Sequence, residues 1–188
     1  MRLSLILIAL LPITIASAQQ WNWAVDAGGT GNTDICWGIA TDSHGAVYWA
    51  GSVGGTADFG CGTVSSLPAV AAGTLAKYDS TGACQWVRGI TTGFNEAWAY
   101  GIAIDAQDRV YVTGSYTGNA SFGSGITLNS LGSDDIFLAR YDVDGNCLWA
   151  HRAGSSGSND EARGIALSDS GDVFITGISG GSTITIDG

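Results

Sequence analysis

The side chains best equipped for chemistry in this chain are carboxylates, thiols and two histidines. Asp34, Glu96 and the pair Asp160-Glu161 each stand just ahead of a Gly-Ile-Ala triplet. Acids gathered in this way can hold a cation, a cationic ligand or a sugar, and paired carboxylates are the common equipment of glycan cleavage. Solvated loop acids that keep an edge soluble look the same in sequence. Asp142-Val143-Asp144-Gly145-Asn146 puts oxygen ligands (Asp142, Asp144, Asn146) at alternate residues, as a calcium loop does. No Glu follows at EF-hand distance, because Leu148 and Trp149 resume an apolar run, so a hairpin turn is the simpler expectation. His44 and His151 have no visible nucleophile beside them, and Asp169-Ser170-Gly171 sits where a turn is expected. No metalloprotease helix motif, nucleophile elbow, P-loop or dinucleotide fingerprint occurs, so no catalytic residue and no cofactor is expected.

These residues sit in an internal repeat of 63 residues. Trp23, Trp86 and Trp149 share that spacing, as do the triplets beginning at Gly38, Gly101 and Gly164. Val47-Tyr48 recurs as Val110-Tyr111 and Val173-Phe174, and Phe59-Gly60 as Phe122-Gly123. Leu75-Ala76-Lys77-Tyr78-Asp79 recurs as Leu138-Ala139-Arg140-Tyr141-Asp142, each followed by Gly, Cys and Trp. Each copy reads as four short strands. In the first copy these are residues 38–41, 47–52, 74–78 and 84–88, with Asp- and Gly-containing turns after the first and third and a long Gly-rich connection after the second. Gly recurs too often for helix interiors, and no apolar i, i+3, i+4 series persists.

Val110-Tyr111-Val112 and Ile136-Phe137-Leu138 are apolar on both faces, so both faces of each sheet must be covered. Four-stranded antiparallel sheets stacked as blades of a β-propeller meet that demand; a solenoid or a row of sandwiches is the competing arrangement. The expected fold is therefore all-β, an incomplete propeller of about two and a half blades. Residues 21–27 form a closing-type strand, 28–90 the first blade, 91–153 the second and 154–188 a partial third. In that arrangement Asp34, Glu96, Asp160 and Glu161 ring one mouth of a central channel. Cys84 and Cys147 occupy equivalent places, where Trp21 stands in the first copy, and are expected to be unpaired packing residues on separate blades. Strand directions bring Cys36 and Cys61 to one end of the first blade, so a Cys36–Cys61 disulfide is the expected bridge.

The pattern Gly-Ile-Ala-x-Asp, Val-Tyr-Val-Thr-Gly at 110–114, Asp-Ile-Phe-Leu-Ala-Arg-Tyr-Asp at 135–142 and Gly-x-Cys-x-Trp resembles the bacterial SBBP beta-propeller repeat family. The resemblance covers nearly all of residues 21–188 and rests on packing and turn positions. It implies a propeller of a secreted or cell-surface bacterial protein and names no ligand.

Of 188 residues, 17 are Asp or Glu and 7 are Lys or Arg, giving a net charge of −10. Such a surface offers no positive face for nucleic acid or anionic membranes. Arg2, an apolar run and Ala16-Ser17-Ala18 read as a signal peptide over residues 1–18, ahead of a repeat region over 19–188. No later run is apolar and long enough to span a bilayer. The third copy breaks off before its third strand, so the expected context is a longer protein supplying further blades; the alternative is self-association of copies into a ring. The functional expectation is a non-catalytic binding, adhesion or structural module that takes a protein or glycan at its blade-end loops. The alternative is part of a propeller enzyme acting on glycans through Asp34, Glu96 and Asp160.

Overall fold

The computed structural model describes residues 22–31, 34–67 and 70–187; the expected signal peptide and Trp21 lie outside the described residues. The described chain is all-β, with fourteen strands and no helix. No helix among the described residues is long and apolar enough to cross a membrane.

The strands follow in order: β1 (Gly28–Gly29), β2 (Ile35–Thr41), β3 (Val47–Gly54), β4 (Thr56–Asp58), β5 (Thr63–Ser65), β6 (Ala71–Tyr78), β7 (Cys84–Ile90), β8 (Ala97–Ile104), β9 (Val110–Gly123), β10 (Ile126–Tyr141), β11 (Cys147–Gly154), β12 (Asp160–Leu167), β13 (Val173–Ser179) and β14 (Thr185–Ile186). They form a four-stranded sheet β2-β3-β6-β7, a five-stranded sheet β14-β11-β10-β9-β8, a pair β12-β13 and a small sheet β1-β4-β5. Every ladder is antiparallel, and no sheet closes into a barrel.

The turns are set by Asp. Asp42, Asp79, Asp105 and Asp142 each accept, through Oδ1, the amides two and four residues on, at 2.8 to 3.0 Å. This carboxylate-capped loop fixes the hairpin without needing any partner outside it. Ser168 takes the same place in the last hairpin and accepts the Asp172 amide. The left-handed position three residues on is Gly45, Gly82, Gly145 and Gly171 in four turns, but Asp108, at φ 56°, in the fifth.

Two features depart from the sequence expectation. The long connection after the second strand is itself structured. In the first sheet it forms the β4–β5 hairpin, and in the second it prolongs β9 and β10 into one long hairpin. It folds back over the sheet, so that Phe59 and Phe122 are buried and their carbonyls accept the Tyr78 and Tyr141 hydroxyls at 3.4 and 3.3 Å. Gly28 pairs with Asp58 and, one repeat later, Thr91 with Ser121. The small residues of these segments hide their pairing from a hydrophobicity reading. Second, residues 22–27 carry no strand. Trp23 nonetheless docks on the first sheet, its indole N–H donating to the Ser80 carbonyl at 3.0 Å, as Trp86 donates to the Val143 carbonyl at 2.9 Å.

The main core lies between the first two sheets, where Tyr48, Leu75 and Trp86 meet Ile102, Val110 and Val112. Val110, Tyr111 and Val112 are all buried, as are Ile136 and Phe137, with Leu138 partly buried, so both faces of the second sheet are covered. The first strands β2, β8 and β12 run side by side, with Gly38 against Ile102 and Gly101 against Ile165. A side chain at either glycine would lie about 3 Å from the neighbouring strand, which is why a glycine stands there.

A polar cleft between the turns as the candidate functional site

The acids ahead of the first strands are built into the fold. Asp34 Oδ2 accepts the Gly29 amide at 3.0 Å and Oδ1 the Gly54 amide at 3.4 Å. One repeat pair later, Asp160 accepts the Ser155 amide and hydroxyl, both at 2.7 Å, and the Gly180 amide at 3.2 Å. Burial works against the Asp160 charge, yet donors from Ser155, Ser179 and Gly180 outweigh it and hold its pKa below the ordinary 3.8. The second copy has Ala97 at this position, and there the Thr117 amide turns to the Glu96 carbonyl at 3.0 Å. The Glu96 side chain itself is exposed, and Glu161 pairs with Arg163. Asp34 and Asp160 thus tie the connection to the end of the second strand.

The cysteines pair differently from expectation. Cys61 is bonded to Cys84, with Cα atoms 5.4 Å apart, while Cys36 is exposed and free and Cys147 buried and free. The expected Cys36–Cys61 bridge and an unpaired Cys84 are both corrected. The fold-back of the β4–β5 hairpin carries its tip, Gly60-Cys61-Gly62, to the start of β7, far from where an unstructured connection would leave it. Asp142, Asp144 and Asn146 form a closed hairpin turn: Asp142 accepts both backbone amides and, through Oδ2, the Asn146 side-chain amide at 3.0 Å.

A cavity of about 550 Å³ opens at the turn end, between the first two sheets. Asp42, His44, Lys77 and Asp79 line it from the first sheet, Asp108 and Asp144 from the second, with Trp86 behind. A clasp crosses the cleft: the Ser43 amide and hydroxyl both donate to Asp108 at 2.8 Å, and His44 Nδ1 lies 3.2 Å from the same carboxylate. These bonds put Asp108 below the ordinary carboxylate range. They also rationalise an Asp at a left-handed position where the sister turns carry Gly.

Asp42, His44 and Asp108 are the one metal-like grouping among the described residues, with ligand atoms within 4.8 Å of one another. Their oxygens are committed elsewhere. Asp42 accepts two amides and the Tyr48 hydroxyl, and Lys77 Nζ sits 3.6 Å from it and 4.9 Å from the Tyr48 ring centre. A cation would have to displace an ammonium and three donors, so the grouping works as a turn-to-turn clasp. Arg88 is likewise spent, on the Gly145 and Asp144 carbonyls. What the cleft offers a ligand includes the outer Nε2 edge of the exposed His44 ring and the Asp144 carboxylate, beside the Trp86 ring.

A second patch lies on the first strands. Trp37, Tyr100 and Arg163 occupy one repeat position in three sheets and touch in sequence. The rings of Trp37 and Tyr100 are 5.3 Å apart, edge to face, and the Arg163 guanidinium lies 4.2 Å over Tyr100. Trp98 stacks on Tyr100 at 6.3 Å. The Tyr100 faces are therefore occupied from within. Sequence reasoning missed both the clasp and this patch, because it searched for positions that repeat, and these are equivalent positions whose residues differ. Compared with family models and with curated proteins, the chain has no match.

Proposed function

We propose that this chain is a propeller-type repeat protein of a secreted or cell-surface kind, resembling SBBP repeats, that acts as a non-catalytic interaction module and takes a glycan or peptide in the turn-end cleft. The observation that carries the reading is the cleft itself: a mixed-polarity cavity of about 550 Å³ walled by turns from two packed sheets. Such concave sites with a few convergent polar groups are where proteins hold small polar ligands. Blade architecture is supported by the recurrence of one sheet-to-sheet contact at the repeat offset and by coverage of both sheet faces. The engagement of Asp34 and Asp160 by backbone amides gives them a structural role and counts against their serving as acid–base groups.

The test is an array of neutral and acidic oligosaccharides and short peptides probed with the full chain and with His44→Ala/Asp144→Asn. Both residues are exposed, so the variant keeps its fold. Loss of more than about tenfold in affinity for every bound probe is expected, since both side chains line the cleft and are exposed to a ligand. Unchanged binding, or no bound probe at all, refutes the cleft as the site.

A further inference from the structure

Neighbouring sheets meet by a knob-and-slot contact that repeats. The Cβ position of Gly38 lies 3.2 Å from Ile102 Cγ2, and that of Gly101 lies 3.1 Å from Ile165 Cγ2. One offset further, Gly164 offers the same slot, but its Cβ position meets only Thr176 Oγ1 of its own sheet. One offset back, Ile39 is the same knob, and it is 68% exposed. The flanking residues tell the same story. Tyr48 and Tyr111 are buried beneath the following sheet, whereas Phe174 at the same place is 58% exposed. Ala99 and Ala162 are fully buried beneath the preceding sheet, whereas Cys36 at the same place is exposed.

Among the described residues, the leading face of the first sheet and the trailing face of the third are therefore the two unmet halves of a contact the chain makes twice within itself. We propose that they take each other: a second copy of this chain seats head to tail, with Ile39 of one copy in the Gly164 slot of the next and Phe174 covered by the incoming sheet. An isolated apolar patch would not specify its occupant. Here the complement is defined by two internal precedents and sits on the same chain. The contact is heterologous, so it propagates until the rotation per copy closes a ring. It needs only the recurring sheet contact and is independent of any ligand in the cleft.

Light scattering on the full chain over a range of concentrations tests this, together with Ile39→Asp and Phe174→Asp, both at exposed positions and each checked for an unchanged β circular-dichroism spectrum. Wild type should exceed the monomer mass, and each variant should lose self-association by more than about tenfold, as expected for a charge placed at an apolar anchor. Ile39→Asp retains a good trailing face and Phe174→Asp a good leading face, so the two mixed should form a capped dimer and stop there. A wild type that stays monomeric throughout overturns the proposal and leaves these faces to a different partner. So does a mixture that fails to pair. So does continued assembly of either variant alone, which would indicate symmetric edge pairing through β13.

Discussion

Gly145→Ala should destabilise the fold, and its cost can be apportioned. The residue is left-handed, at φ 78°, where an L side chain costs roughly 1–2 kcal/mol. Its Cβ would also fall 2.8 Å from Trp86 Cδ2. That ring is buried, packs 5.9 Å from Tyr48, and is held by its bond to the Val143 carbonyl, so it cannot swing away. Overpacking of this sort adds about 1–3 kcal/mol, for a total of about 2–5 kcal/mol. Gly82→Ala provides the control. It has the same backbone, at φ 87°, and the same 2.8 Å approach, here to Trp23, but Trp23 is only half-buried and lies on a segment without strand pairing. Trp23 can move aside, leaving only the backbone component of roughly 1–2 kcal/mol. Urea unfolding of both variants, and of Gly145→Ala in a Trp86→Leu background, separates the two components. Equal costs at Gly82 and Gly145, or no relief in the Trp86→Leu background, would refute the claim that the indole locks one sheet onto the turn of the next.

Alkylation should label Cys36 alone in the native protein, Cys36 and Cys147 after unfolding without reductant, and all four cysteines only after reduction; labelling of Cys61 without reductant would contradict the Cys61–Cys84 pairing. Burial pushes the Cys147 thiol up to about 11, which further slows its native reaction. Cys61→Ser should cost about 3 kcal/mol from the reopened loop, measured by denaturant unfolding, while a neutral outcome would mean the bridge is dispensable. Asp160 has a folded pKa below its unfolded value, so its contribution is present above about pH 4 and is lost as pH falls through the folded value. Asp160→Asn should therefore cost about 1–3 kcal/mol at neutral pH and flatten the acid limb of the stability profile, and an unaltered limb would count against the amide clasp. Asp135 behaves oppositely. It is fully buried, with one oxygen unpartnered; Arg152, Asp160 and Asp134 face it, and burial raises its pKa. Its contribution is complete below about pH 4 and declines as pH rises through the folded value, so Asp135→Asn should gain stability relative to wild type as pH rises from about 4 through that folded value. A constant difference across that range would refute the assignment.

Strand pairing within each repeat was legible because turn chemistry is local: Asp42, Asp79 and Asp142 announce their hairpins within five residues. Burial of both faces of Val110-Tyr111-Val112 was legible because three successive apolar residues point to both faces of the strand. The fold-back hairpins were not, since Gly, Ala, Ser and Thr carry no apolar alternation, and with them went the partner of Cys61. Asp34 and Asp160 were legible as acids ahead of a first strand but not as clasps, because the amides they accept include those of Gly54 and Gly180, about twenty residues away. The Ser43–Asp108 clasp was hidden most deeply, since it joins different repeats at unequal offsets and involves an Asp where Gly is the rule.

The most direct test of the cleft as the binding site is to follow the tryptophan indole N–H resonances by NMR while titrating an oligosaccharide or peptide that the array identifies. Trp86 lines the cleft and donates to Val143 at its rim, whereas Trp37 and Trp98 lie on the first-strand patch. We expect the Trp86 indole and the His44 ring to shift in parallel, with Trp37 and Trp98 unmoved. Shifts confined to Trp37 and Trp98 would contradict the account and move the binding site to the first strands.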